Sequence, residues 1–292
     1  MATAGSTNNG RAQQHAERWF QIASRPGAEH SKSEQPWQRL PAVQLELTEE
    51  QKETQEVFHK FQSILNKLTP QKFQKLADAT LQLKINTEER LKGVIDKIFT
   101  KALEETNVSE VYANLCRVLA PLAVETVNAE GKPQAVTFRR LLLTKCQQEF
   151  EKDMQEDEER ETMQKGVETA ETEEIRKQRQ TALEAAEVAS RHRFLGNVRF
   201  IGELYKMKIL SESIMYECTI RLLKSSSDEE SLEGFAVLMT TTGKDLDKEE
   251  AKPRIDTYFN RVNDIIKKGK ISSRIKCVLQ DVVDLRDNKW VP

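Results

Sequence analysis

Histidine is the side chain most often used to hold a metal or to move a proton near neutral pH. The chain has four, His15, His30, His59 and His192, and none pairs with Cys, Asp or another His at ligand spacing. Cys116, Cys146, Cys218 and Cys277 form no CxxC unit. Each sits in an apolar helical run, which predicts small, reduced core residues in an intracellular protein. The serine elbow GxSxG, the phosphate loop GxxxxGK[ST] and the dinucleotide motif GxGxxG do not occur. Gly196 and Gly202 interrupt a helical stripe and are predicted to let two helices approach closely. Asp245-Leu-Asp247 lacks the glycine and closing glutamate of a calcium loop. It reads as an acidic helix start ahead of Glu249 and Glu250. No catalytic residue, metal or cofactor is therefore expected, and the chain is not read as an enzyme.

The remaining chemistry is that of surfaces. Lys72, Lys75, Lys84, Arg139, Arg140, Arg199, Lys206 and Lys208 lie on segments that also carry apolar stripes. Their heads are predicted to project into solvent. Read singly they provide solubility, and read together they form a patch tolerant of RNA. Exposed aromatic stacking platforms are not evident.

The elements that position these residues are helices. From Thr54, Val57, Phe61, Leu65 and Leu68 recur at three- or four-residue spacing. Thr69-Pro70 then ends one helix and starts another, which carries Phe73, Leu76 and Leu81. A second pair runs through Leu91 to Leu103 and Val111 to Leu122, followed by a loop at Asn128 to Pro133. A third starts at Phe138, is interrupted by an acidic stretch, and resumes at Leu195. The fourth uses Ile214 to Leu222 and Leu232 to Met239, with Ser227 to Glu230 matching a capping box. The fifth uses Ile255 to Ile266 and Ile275 to Leu285, separated at Gly269. Pairs start roughly 38–40 residues apart outside the insertion, a period of HEAT-like repeats. The predicted class is all-α, a right-handed α-solenoid of five HEAT-like helix pairs with the acidic insertion in the third. No strand alternation is read anywhere.

Composition agrees. Charged residues make up 32% and hydrophobic ones 38%, more polar than a typical globular domain, so unstructured segments are expected beside the fold. Residues 151–190 hold 13 acids and six bases, a local charge of −7 that leaves +5 on the remainder of a chain whose net is −2. That insertion reads as a solvated helix, a loop, or some of each. Residues 1–48 lack periodicity and are predicted to be a disordered tail ahead of a domain at 49–292. Trp37 in that tail reads either as a docking anchor or as a residue that folds back. No signal-peptide core or membrane-length apolar run is present, so no membrane partner is expected.

Several segments resemble the middle domain of eukaryotic translation initiation factor 4 gamma. They include SILNKLTPQKF (63–73), NTEERLKGVIDKIF (86–99), FRRLLLTKCQQEFEKD (138–153), LGNVRFIGELYKMKIL (195–210) and AKPRIDTYFNRV (251–262). The closing SSRIKCVLQDVVDLRDNKWVP (272–292) matches as well, so the resemblance covers about residues 52–292. It implies a cytoplasmic scaffold that binds and stimulates a DEAD-box RNA helicase, initiation factor 4A, binds messenger RNA, and meets other initiation factors. Carried over residue by residue, Leu65, Leu68 and Phe73 would contact one helicase lobe, with Phe138 and Arg139 adjoining. Asp245, Arg254 and Arg274 would face the other lobe, and Trp37 would match an aromatic anchor before the domain. Leu65, Leu68, Phe73 and Phe138 also read as plain core, since each lies on an apolar stripe. Lys72, Arg140, Arg199, Lys206 and Lys208 would serve RNA. The family's cap-binding-protein motif has no match, since Ser211 fails its last place after Tyr205 and Leu210. The chain ends where the middle domain ends, which reads as a fragment or a short member. An RNA-binding module and a competitor that sequesters the helicase remain open alternatives.

Overall fold

The computed structural model describes residues 48–127, 131, 133–153, 157–268 and 270–291. All belong to one compact unit, Leu47–Pro292. Trp37, the expected tail before Thr48, and Gly269 lie outside the described residues.

The elements in order are α1 (Glu49–Leu65), α2 (Phe73–Leu81), α3 (Glu88–Glu104) and α4 (Ser109–Leu119). A hairpin of β1 (Ala123–Val127) and β2 (Pro133–Thr137) follows. Then come α5 (Phe138–Asp153), α6 (Asp157–Glu168) and α7 (Glu173–Lys206). The chain continues with α8 (Glu212–Leu222), α9 (Glu229–Leu246), α10 (Lys252–Lys268) and α11 (Ser273–Asp287). Each packs on near neighbours in sequence: α1 on α3, α3 on α5, α9 on α11, with α7 touching α3, α4, α5 and α9. This is the all-α solenoid of the HEAT-like kind. One apolar cluster runs through it from Val57 to Val283.

The stripes explain the packing. Helix α3 buries Leu91, Val94, Ile95, Ile98, Phe99, Ala102 and Leu103, a face at helical spacing. The second half of α7 buries residues on nearly every side, because other helices surround it. A Cβ on Gly196 would sit 3.1 Å from the Leu103 carbonyl oxygen, and one on Gly202 would sit 2.9 Å from the Thr241 side chain. Both glycines permit close packing, as their place in the stripe predicted.

Several boundaries differ from the pattern. Helix α1 starts at Glu49 because Thr48 and Gln51 form a capping box. Its first turn is polar and exposed, so hydrophobic spacing cannot reveal it. The strands are a correction to the reading of no β structure. Val124 pairs with Val136, and these two are the buried residues of the hairpin. One inward side chain per strand is too few to show a period of two. The insertion is helical where it is described. Helix α6 packs on α7, and Val167 of α6, Ala170 of the link and Leu183 of α7 are buried. At 34 residues α7 is about 51 Å long. The cap of α9 is Asp228 and not Ser227, since its carboxylate accepts from the Glu230 and Ser231 amides. Asp245 and Asp247 close α9 where a helix start was expected, with Asp247 as its C-cap. Cys116, Cys146 and Cys218 are buried, but Cys277 is exposed.

Arg90 is the largest fully buried side chain, with 2% of its surface exposed. Its Nε donates to Thr54 Oγ1 at 3.0 Å, and Nη1 donates to the Lys84 carbonyl at 3.1 Å and to Asn86 Oδ1 at 2.9 Å. Nη2 donates to Glu53 Oε2 at 3.1 Å. One planar fork thus ties α1 to the link before α3. Arg90→Met is expected to cost roughly 1–3 kcal/mol, because it leaves the buried Thr54 hydroxyl without its donor and removes several charge-assisted bonds. Arg90→Lys should recover less than half, since one ammonium cannot span those partners. Urea unfolding of the three proteins checks both values.

Candidate binding surface

Leu65 is 1% exposed and Phe138 is 0% exposed, and Leu68 is buried as well. Their side chains belong to the core and offer no contact to a partner, which corrects the surface role given to them. The cause is their place on stripes that face α3 and its neighbours. Phe73 is half-buried at the start of α2, beside exposed Pro70 and Lys72. Pro70 opens a short 3-10 turn over Pro70–Lys72, and the Thr69 side chain makes no cap bond there. This corner is the part of the first predicted foothold that reaches solvent.

Arg139 is exposed at the start of α5, but its Nη2 donates to the Ile209 carbonyl at 2.9 Å. It holds α5 against the turn that follows α7. Arg140, next to it, is exposed, with its amide donating to Thr137 Oγ1 at 3.2 Å. Lys208 lies in that turn with φ +63° and its ammonium 5.4 Å from the Tyr205 ring centre. Lys206 is half-buried and bridges Glu203 at 2.9 Å. Arg199 is exposed midway along the core half of α7, and Lys72 lies far back in the sequence, in the 3-10 turn before α2. Arg139 thus brings the start of α5, where Arg140 lies, to the turn that carries Lys208.

The second foothold is better assembled. Tyr205 donates to the Asp245 carbonyl at 3.3 Å, and its hydroxyl lies 3.5 Å from Glu212 Oε1. Lys248 bridges the same Glu212 oxygen at 3.0 Å. Arg254 lays its guanidinium 4.4 Å from the centre of the Tyr216 ring. Burial and the nearby Glu212 carboxylate push the Tyr205 phenol up to about 12. The Lys248 hydrogen bond holds Glu212 below the usual carboxylate range. Asp245 and Arg254 therefore share a polar rim where α9 gives way to α10. Arg274 belongs to a different cluster, bridging Glu233 at 3.0 Å beside Arg191. Sequence reasoning missed Tyr216 and Lys248, whose only signal is a place beside Glu212 and Arg254 that folding creates. Among the described residues no group of His, Cys, Asp and Glu could hold a metal ion. No described helix is long and apolar enough to cross a membrane.

A further charged cluster closes the last helices. Arg286 binds the carboxylates of Asp247 and Asp256 and stacks on Phe259, 4.6 Å from the ring centre. Trp290 Nε1 donates to Asp247 Oδ2 at 3.1 Å. The Trp290 ring covers Gly243 so closely that an added Cβ would lie 2.1 Å from it.

The profile of the MIF4G domain matches residues 58–289. The chain is 54% identical over 239 residues to eukaryotic translation initiation factor 4 gamma 1 of Mus musculus, covering 82% of this chain and 15% of that protein. It is 52% identical over 238 residues to eukaryotic translation initiation factor 4 gamma 3 of Homo sapiens, with the same two shares of 82% and 15%. Against eukaryotic translation initiation factor 4G of Triticum aestivum it is 40% identical over 230 residues, covering 78% of this chain and 15% of the other. The chain thus spans about 15% of the length of these curated relatives.

Core and rim are separable by mutation. Leu65→Ala is expected to cost about 2–5 kcal/mol. Lys72→Glu and Arg199→Glu should stay within roughly 0.5 kcal/mol of the parent, since both side chains are exposed. Thermal melts compare the three. Acid tests the ion pairs. Burial alone would raise the carboxyls of Glu149, Glu233 and Asp247, yet their arginine and lysine partners outweigh it and hold each below its ordinary value. A depressed folded pKa contributes stability that is present above the unfolded value and is lost as pH falls through the folded one. Stability should therefore be level above pH 5 and fall below about pH 4, as read by the urea midpoint against pH.

Proposed function

The chain belongs to the MIF4G-domain family, and on that premise we propose that it is a translation-initiation scaffold that binds and stimulates the helicase initiation factor 4A. The observation that carries this reading is the 54% identity, over 82% of the chain, to a protein named as an initiation factor 4 gamma. The architecture supports it. The two candidate footholds fall near opposite ends of the described sequence, one at the corner of Lys72 and Phe73, the other at the rim of Asp245 and Arg254, with Arg274 on α11 beside it in sequence. A stack that is locally packed from end to end can hold two lobes of a motor in one arrangement.

Magnitudes decide how many contacts that takes. A ligand shifts a two-state equilibrium only by its differential affinity for the two states. Raising the closed helicase tenfold needs about 1.4 kcal/mol of such difference. One exposed ion pair supplies roughly 0–1 kcal/mol. One such pair falls short of this, so several contacts act together. Arg140, Arg199, Lys206, Lys208 and Lys72 add sequence-independent attraction for messenger RNA, sensitive to salt. These contacts need no bond-making chemistry, and the chain works without a cofactor. The setting is the cytoplasm, where other initiation factors are available as further partners.

The purified chain is expected to raise the ATP turnover of initiation factor 4A several-fold, and Arg254→Glu to weaken helicase binding about tenfold with unchanged helicity. Binding should survive nuclease treatment. Association that disappears with the RNA would identify an RNA-binding module instead, and suppressed turnover would identify a competitor that sequesters the helicase.

A further inference from the structure

Helices α8 and α10 leave an uncovered trough between them. Its walls carry Ile220, Leu223 and Lys224 from the end of α8, and Tyr258, Arg261 and Ile265 from α10. The trough continues past Tyr258 and Ile220 towards Tyr216, Lys248 and Arg254. Ile220 is 58% exposed, an apolar side chain standing on a wall that no described element covers. Tyr258 is 8% exposed, and its hydroxyl has no hydrogen-bond partner among the described residues. The lining bases are Lys224, Lys248, Arg254, Arg261 and Lys268, against the acids Glu212, Glu250 and Asp264. Lys248 is matched by Glu212. The trough is apolar at its centre and net basic at its margin.

We propose that this trough docks an acidic, apolar-anchored peptide segment of a partner protein. A hydrophobic side chain of the segment seats on Ile220 beside Leu223 and Ile265. Carboxylates of the segment face Lys224, Arg261 and Lys268. RNA fits less well, because base stacking needs a free aromatic face. Arg254 covers the Tyr216 ring and the Tyr258 ring is buried. The docking end, at Ile220, Lys224 and Arg261, goes beyond the helicase reading, although the far end of the trough reaches Arg254 of the proposed helicase rim.

The test uses the full chain and a fluorescent helical peptide carrying leucines four residues apart with glutamates between them. A glutamine-for-glutamate peptide and a single-stranded oligouridine serve as further probes. The acidic peptide should bind, and the glutamine version should bind more weakly. Ile220→Glu should reduce affinity at least about tenfold. Lys224→Glu should reduce it several-fold and narrow the gap between the acidic and the glutamine peptides, with the thermal midpoint unchanged because that side chain is exposed. Helicase stimulation should persist in Ile220→Glu, which keeps this site separate from the helicase contact. Parent-like peptide affinity in both variants would overturn the proposal, as would tighter binding of oligouridine to the same residues. Loss of helicase stimulation in Ile220→Glu would also overturn it, by making the trough part of the helicase contact.

Discussion

The burial of α7 constrains everything around it. Its second half is covered by α3, α4, α5 and α9, so side chains on nearly every face of one helix must fit four neighbours. Two solutions are visible in the residues. Where a neighbour comes closest, the helix carries glycine, at Gly196 against α3 and at Gly202 against α9. Where there is room, it carries a large ring: Phe200 meets Phe99 edge-on with centroids 5.1 Å apart. Close packing of this kind passes displacement along the stack without absorbing it. A scaffold with two distant contacts needs that stiffness.

A solenoid also needs its ends finished, because the first and last helices have a neighbour on one side only. Charge does this at both ends. Arg90 ties α1 to the link before α3 by a buried fork of hydrogen bonds. Arg286, Asp247, Asp256 and Trp290 tie α9, α10 and α11 together. In each case an arginine spans elements that apolar contact alone would leave free to splay. The candidate partner contacts lie on the rims of these finished ends, where polar groups are already oriented by their neighbours.

Much of this was legible in the sequence, for a physical reason. Helical stripes repeat every few residues, so α1 to α5 and α8 to α11 declare themselves through Val57, Ile98, Leu115 or Phe259 without any knowledge of what they touch. The hairpin does not, because only Val124 and Val136 turn inward. The helical insertion does not, because few apolar residues hold it. Side-chain roles were harder still. Leu65 and Phe73 share a motif, yet one is core and the other reaches the surface, although each lies on the apolar stripe of its own helix. Arg90 and Arg286 look like any other arginines in a highly charged chain. What distinguishes them is the company that folding brings, from residues about 30 to 40 positions away.

Two separated footholds on one stiff body are the heart of the proposed scaffold, and hydrogen exchange on its complex with initiation factor 4A reads them directly. Slowed exchange is expected in two zones, the start of α2 around Phe73 and the junction of α9 and α10 around Asp245 and Arg254, with the buried half of α7 unchanged. Slowing confined to one end, or absent from both, would contradict a scaffold that bridges the two lobes.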